Sequence, residues 1–194
     1  MISNVHSGKG VWSFIYVAVS EFRQIKSFMR AKQKWKQKLA NSGFQWEMSV
    51  IIYTIGFTKK SAEEFFEALR RCGAKHLLDI RLHNTSQLAG FTKWSNLQYL
   101  LKQIVDMEYH EVPILAPAGS FIKEYRRTGD WPTFERRYLG LLEKRQVEHY
   151  IEPVWFKDGA VLLCSEAKPD RCHRRLAAEY LVRSMLPEAD IEHL

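Results

Sequence analysis

Residues 50–80, VIIYTIGFTKKSAEEFFEALRRCGAKHLLDI, decide the fold. VIIYTI (50–55) is short, apolar and rich in β-branched residues and runs into Gly56, which predicts a buried strand ending in a tight turn. Ser61 and Glu64 then have the spacing of a capping box, in which hydroxyl and carboxylate each satisfy an orphan amide at a helix start. Phe65, Phe66 and Leu69 follow at helical spacing and supply the core face, and Cys72-Gly73 stops the helix. KHLLDI (75–80) is a second strand. Strand, helix and strand within about 30 residues make the right-handed crossover unit of a parallel sheet.

The alternation continues outward from this unit. After a loop over 82–94, residues 95–105 carry Leu97, Leu100, Leu101 and Ile104 at helical spacing. Residues 109–112 read as a short third strand. Pro113, Pro117 and Gly119 break the chain before two helices over 120–127 and 133–149, the second turning Phe134, Tyr138, Leu141 and Leu142 inward. GAVLLC (159–164) is the most hydrophobic strand and is expected at the centre of the sheet. Asp170 is expected to cap a last helix through Met185, with Leu176, Tyr180 and Leu181 inside and Arg174, Arg175 and Arg183 outside. The pattern predicts an α/β fold, a three-layer, open, mostly parallel sheet with helices on both faces.

A chain of 194 residues is long enough for one well-packed core and too short for two sizeable ones. Hydrophobic residues at 46% and charged residues at 26% exclude a disordered or collagen-like chain. The net charge of +7 is concentrated at one end. Residues 1–47 hold eight Lys/Arg against Glu21 and Glu47, whereas the remainder, with 21 basic and 20 acidic residues, is close to neutral. Residues 1–47 are therefore read as a basic N-terminal extension, and 48–194, which contain no internal repeat or linker, as a single α/β domain. The run 30–38 can attract an anionic partner such as nucleic acid, or it is simply a solvated basic helix. An uninterrupted domain pattern begins just after Met48, so a translation start there would make the extension an addition.

The apolar stretch 11–19 is about half the ~20 residues that a membrane span requires. Lys9 and Ala18-Val19-Ser20 loosely imitate a signal peptide, but free cysteines downstream and a polar, helix-like 21–40 argue against export. Three cysteines, Cys72, Cys164 and Cys172, are too few for a disulfide scaffold, and their odd number suits a reducing, cytoplasmic compartment.

Ligands of an open parallel sheet bind outside the carboxyl ends of its strands. That rule selects Gly56 to Lys60 after the first strand, Asp79 and Arg81 after the second, and Cys164, Ser165 and Glu166 after the strongest later strand, with Cys172, His173 and Arg174 opening the next helix. Asp79 beside Leu77-Leu78 needs a partner if buried, and Arg81 is the nearest one; the pair either fixes the loop or serves acid–base and substrate-binding roles. Cys172, in the first turn of a helix and near Arg171 and Arg174, is a candidate nucleophile with a favoured thiolate. Glu166 and His173 are candidate proton-transfer groups. Cys164, Cys172 and His173 also offer sulfur and nitrogen ligands for zinc, with Glu166 as a fourth ligand or a base, although the spacing matches no common structural zinc signature. Taken alone, Cys164 reads as a buried strand cysteine.

The helix start beside Lys59 and Lys60 can hold a phosphate or carboxylate, and Arg81, Lys93, Arg171 and Arg174 would extend that rim, unless these cations are only a solvated surface. No Walker glycine-lysine pattern, spaced-glycine dinucleotide fingerprint or Gly-x-Ser-x-Gly elbow is present, which excludes the corresponding NTPase, NAD-enzyme and hydrolase readings. An enzyme acting on an anionic, phosphate-bearing small molecule or nucleic acid and a non-catalytic binding or regulatory module both fit these residues.

Tyr53-Thr-Ile-Gly-Phe57, Leu78-Asp-Ile-Arg81, Phe91-Thr-Lys93, Leu115-Ala-Pro117, Leu163-Cys-Ser-Glu166 and Cys172-His-Arg-Arg175 occur in the order found in the domain of unknown function 488 family, which the chain resembles from 49 to about 186. The resemblance implies a compact α/β domain with a pocket built from these motifs, and it brings no assigned reaction or cofactor. Two positions depart from the family's pattern. Phe57 stands where many relatives have His, which removes a possible acid–base group, and Leu115-Ala-Pro117 continues as Ala118-Gly119 where a Thr-Lys-like continuation is commoner. The extension before Met48 lies outside the resemblance.

Overall fold

A computed structural model describes residues 50–85 and 89–194, together with Gln33 and Gln37, both helical. The apolar stretch 11–19 and the rest of the basic run lie outside the described residues. Five strands, β1 (Ile51–Gly56), β2 (His76–Asp79), β3 (Glu108–Glu111), β4 (Ala160–Cys164) and β5 (Asp190–His193), form one sheet in the order β3-β2-β4-β1-β5. Every pairing is parallel, so the expected α/β architecture is present.

The first helix, α1 (Ala62–Cys72), begins with the capping box read from the sequence: Glu64 N–H donates to Ser61 Oγ and Ser61 N–H to the Glu64 carboxylate. It stops at Gly73, whose φ of +67° is one that only glycine adopts at no cost. The later helices are α2 (Trp94–Val105), α3 (Gly119–Thr128), α4 (Trp131–Arg145), α5 (Val154–Lys157) and α6 (His173–Ser184).

Alternation along the strands sends side chains into two cores. Ile52, Leu78 and Leu162 pack with Tyr138 and Leu142 of α4 and Leu176 and Leu181 of α6. Ile55, Leu77, Val161 and Leu163 pack with Phe65 and Leu69 of α1 and Leu97 and Leu101 of α2. All five residues of β4 are buried, as expected for the central strand. Inserting β4 between β1 and β2 brings the carboxyl ends of three strands side by side: Gly56 is in register with Cys164, and Leu163 with Asp79.

Several local expectations need correction. The helix expected over 133–149 ends at Arg145, where Gln146 turns left-handed (φ +49°) before a separate 3-10 turn, Val147–His149. Leu141 is only half-buried, and Ile104 is exposed. Asp170 does not cap the last helix. Cys172 does, its sulfur accepting from Arg174 N–H at 3.4 Å, because Cys172 N–H bonds back to the Pro169 carbonyl and holds Asp170 outside the helix. Arg174, expected on the outer side of that helix, is completely buried. Among the described residues no helix is long and apolar enough to cross a membrane.

Candidate functional site

The carboxyl edge carries two polar clusters, one on each side of the sheet. On the side covered by α4 and α6, Cys164 ends β4 and Cys172 caps α6, with their sulfurs 2.8 Å apart. Cys172 is 1% exposed. Arg174 Nη1 donates to Cys164 Sγ at 3.2 Å, to Cys172 Sγ at 3.6 Å and to the Glu166 carbonyl, and Nη2 donates to the Ala167 carbonyl at 3.2 Å. Its Nε is buried and has no partner among the described residues. Glu166 N–H donates to Cys164 Sγ at 3.3 Å.

Gly56 makes this packing possible. A Cβ at that position would overlap the Glu166 carbonyl oxygen and stand 2.6 Å from Arg174 Nη1. Close approach of backbone to backbone thus requires glycine at position 56.

His173 lies beside the sulfurs and edge-on to Tyr138. Its Nε2 is 3.2 Å from the Ile80 carbonyl, which can only accept, so Nε2 carries a proton and Nδ1 is left for the Cys172 sulfur. The two thiols divide their titration. The hydrogen bond from Cys164, opposed by burial and aided by His173, draws the Cys172 thiol well below its ordinary value. Burial and the bond to Cys172 push the Cys164 thiol up. Charge balance points the same way. Arg174 is a fully buried cation whose partners are sulfurs and carbonyls, with no carboxylate ion pair among the described residues, and a buried charge requires a compensating one. The sulfur pair, 2.8 Å apart, is the neighbouring group that can supply that charge.

On the α1/α2 side, Asp79 and Arg81 form the anticipated pair. Arg81 Nε donates to Asp79 Oδ1 at 2.7 Å and Nη2 to Oδ2 at 2.5 Å, while Arg81 N–H adds a 3.1 Å bond. Arg81 Nη2 also donates to the Thr92 carbonyl at 2.9 Å, and the guanidinium lies over the Phe57 ring. Tyr109 Oη donates to Asp79 Oδ2 at 2.7 Å, a proton retained because burial, and then the Asp79 charge, push that phenol up. The backbone between this pair supplies the carbonyl that holds His173. Asp79 and Arg81 thus flank the residue whose carbonyl meets His173 on the other side of the sheet.

The remaining candidates are placed apart. Glu166 is exposed, and its backbone, not its carboxylate, engages the cluster. Lys93 precedes α2 and is half-buried, and Arg171 is exposed. Lys59 and Lys60 line a different cleft of about 920 Å³ between α1 and β5, with Tyr53, Arg71, Cys72 and His193. Cys72 donates to the Leu69 carbonyl, and burial pushes its thiol up. Tyr109 is not among the residues that the sequence selects, and Thr92 enters there only within the Phe91-Thr-Lys93 motif. Tyr109 sits in strand β3, in register with Leu77, and only pairing in space brings it to Asp79.

The ligand atoms of Cys164, Cys172 and His173 all lie within 4.8 Å of one another, so the donor set suits zinc. Two thiolates on one tetrahedral zinc ion stand about 3.8 Å apart, so the sulfurs would have to separate by about 1 Å to share it.

Residues 61–181 match the family model described as Domain of unknown function DUF488, and the chain belongs to that family. No curated protein and no solved structure matches the chain.

Proposed function

We propose that the protein is an enzyme whose reactive group is the Cys172 thiolate, acting on a small anionic, phosphate-bearing substrate such as a nucleotide, or on nucleic acid. The carrying observation is Arg174, a buried guanidinium with sulfur neighbours and no carboxylate, which favours a permanent thiolate at the start of α6. Cys172 attacks as the thiolate already present, and the leaving group takes a proton that His173 Nδ1 draws from solvent, with Nε2 held by the Ile80 carbonyl. Arg174 Nε supplies a buried donor still without an acceptor, a feature that favours an anionic ligand or a water beside it. Arg81 and Asp79 act as positioning residues for His173, and Glu166, exposed at the rim, is placed to exchange protons with solvent. Lys93 serves only as an outer basic rim, and Lys59 and Lys60, on the separate cleft, take no part in this site.

The burial of Cys172 favours a second reading, a non-catalytic ligand-binding or regulatory module in which the sulfur cluster clamps loop 165–171. There the basic extension supplies non-specific nucleic-acid affinity that falls steeply with salt. Alkylation of the full chain with iodoacetamide separates the two. The enzyme reading expects Cys172 to label below the ordinary thiol range of about pH 8.5, faster than Cys72, and to be protected by inorganic phosphate or a nucleoside monophosphate. Labelling of Cys172 at neutral pH no faster than that of Cys72 would remove the nucleophile and leave the binding module.

A further inference from the structure

The geometry points to a binding site for a divalent transition-metal ion of the zinc class at His76, Glu108 and His110, held by two imidazole nitrogens and one carboxylate oxygen with a further position open to solvent. These residues lie at the start of β2 and along β3, at the other end of β2 from Asp79. The parallel register creates the cluster. His76 is paired with Glu108, and His110, two residues further along β3, points to the same face.

The three donor atoms form a nearly closed triangle. His76 Nδ1 is 3.0 Å from His110 Nε2, and the Glu108 Oε2 atom is 3.8 Å from each. Ligands at 2.0–2.1 Å from a tetrahedral zinc ion stand about 3.4 Å apart, so shifts of about 0.4 Å per edge accommodate the ion. The rings are held before any ion arrives: His110 stacks on Trp155 with centroids 4.8 Å apart and planes 34° from parallel. The His side chains are 12% and 22% exposed and that of Glu108 is 63% exposed, which leaves an entry path on the carboxylate side. Without an ion, one proton sits between the two ring nitrogens. Coordination moves it to the outer nitrogen of the ring that carried it.

This donor set differs from the sulfur cluster in hardness and in spectrum, and that difference makes the site testable. The full chain is stripped with a chelator and titrated with Zn²⁺ in competition with a chromophoric chelator, then with Co²⁺. The expected result is one zinc ion that is lost in His110→Gln and bound more than about tenfold more weakly by Glu108→Gln. Bound cobalt should give weak visible bands with no intense thiolate-to-metal absorption. Glu108 is exposed, so Glu108→Gln keeps the fold and remains decisive if His110→Gln does not; melting curves of the stripped proteins verify this. Equal zinc stoichiometry and affinity in wild type and Glu108→Gln, or cobalt absorption of thiolate type alone, overturns the assignment, as does an absence of zinc binding by the wild type.

Discussion

Arg81 and Arg174 are both buried guanidinium groups at the carboxyl edge of one sheet, and they are neutralised in different ways. Arg81 meets a carboxylate through two parallel bonds, the pairing that makes a buried arginine a structural element. Arg174 meets two sulfurs and two carbonyls and keeps one donor free. A carboxylate is ionised at neutral pH wherever it is partnered, whereas a thiol becomes an anion only where its surroundings favour one. The first arrangement needs no chemistry to explain it. The second sets a pair of close sulfurs beside an unspent donor.

The largest effect is expected from Arg174→Met, which keeps the volume but removes the counter-charge and orphans the Glu166 and Ala167 carbonyls. Loss of one partner of a buried ion pair costs about 3–5 kcal/mol, readable by denaturant unfolding. The sharper measurement is a double-mutant cycle with Cys172→Ala. If Cys172 carries the compensating charge, the two substitutions should couple by more than about 1 kcal/mol. Additive effects would mean that Arg174 is a packing residue and would erase the contrast with Arg81.

Arg81→Met should cost less, about 3 kcal/mol, because Asp79 keeps the Tyr109 hydroxyl and the residue 81 amide as donors. It should also raise the pH at which Cys172 alkylates, since the Ile80 carbonyl that orients His173 lies between the paired residues. An unchanged alkylation profile would confine Asp79 and Arg81 to holding the loop.

Much of this edge is legible in the sequence. The capping box, the β-branched run into Gly56 and the apolar GAVLLC segment place three strand ends together, since each is a local pattern with one strong reading. The unread parts depend on non-local pairing. Strand β5, DIEH, is polar and, among the described residues, lies at the sheet edge and pairs only with β1, so it lacks the apolar alternation that marks a strand. The His76–His110 contact arises from the register of two strands separated by a whole helix. Arg174 is expected outside on its charge alone, but three, four and seven residues on along its helix face stand the buried Ala177, Ala178 and Leu181, and sulfur and carbonyl partners satisfy the guanidinium there.

Gly56→Ala touches only the Arg174 side of the comparison. Its Cβ would overlap the Glu166 carbonyl, and backbone cannot swing aside as a long side chain does. The cost should lie toward the upper end of the ~1–3 kcal/mol typical of overpacking, with Cys172 alkylation altered and the Asp79–Arg81 pair unaffected. Wild-type stability in this variant would show that loop 165–171 is free to move away from β1.

The smallest expected effect concerns Tyr109, which contributes a single bond to the Asp79 side. Tyr109→Phe removes a hydroxyl that donates to a carboxylate, a loss of about 1.5 kcal/mol near neutral pH. Burial and the Asp79 charge hold the folded phenol above its ordinary value, whereas in the unfolded chain it ionises near pH 10. Above that pH the unfolded state releases its proton first. The stability Tyr109 contributes is therefore complete below about pH 10 and is lost as the pH rises further. Tyr138 and Tyr180 are also raised by burial and contribute to the same alkaline decline, so its slope should be reduced in Tyr109→Phe without disappearing. The gap between wild type and variant should accordingly narrow from pH 9 to pH 11, a range quoted as roughly one unit on either side of the free phenol's value. A gap that stays constant would mean that Tyr109 ionises as readily in the folded protein as in the unfolded chain, and the hydroxyl would then contribute shape rather than a proton to Asp79.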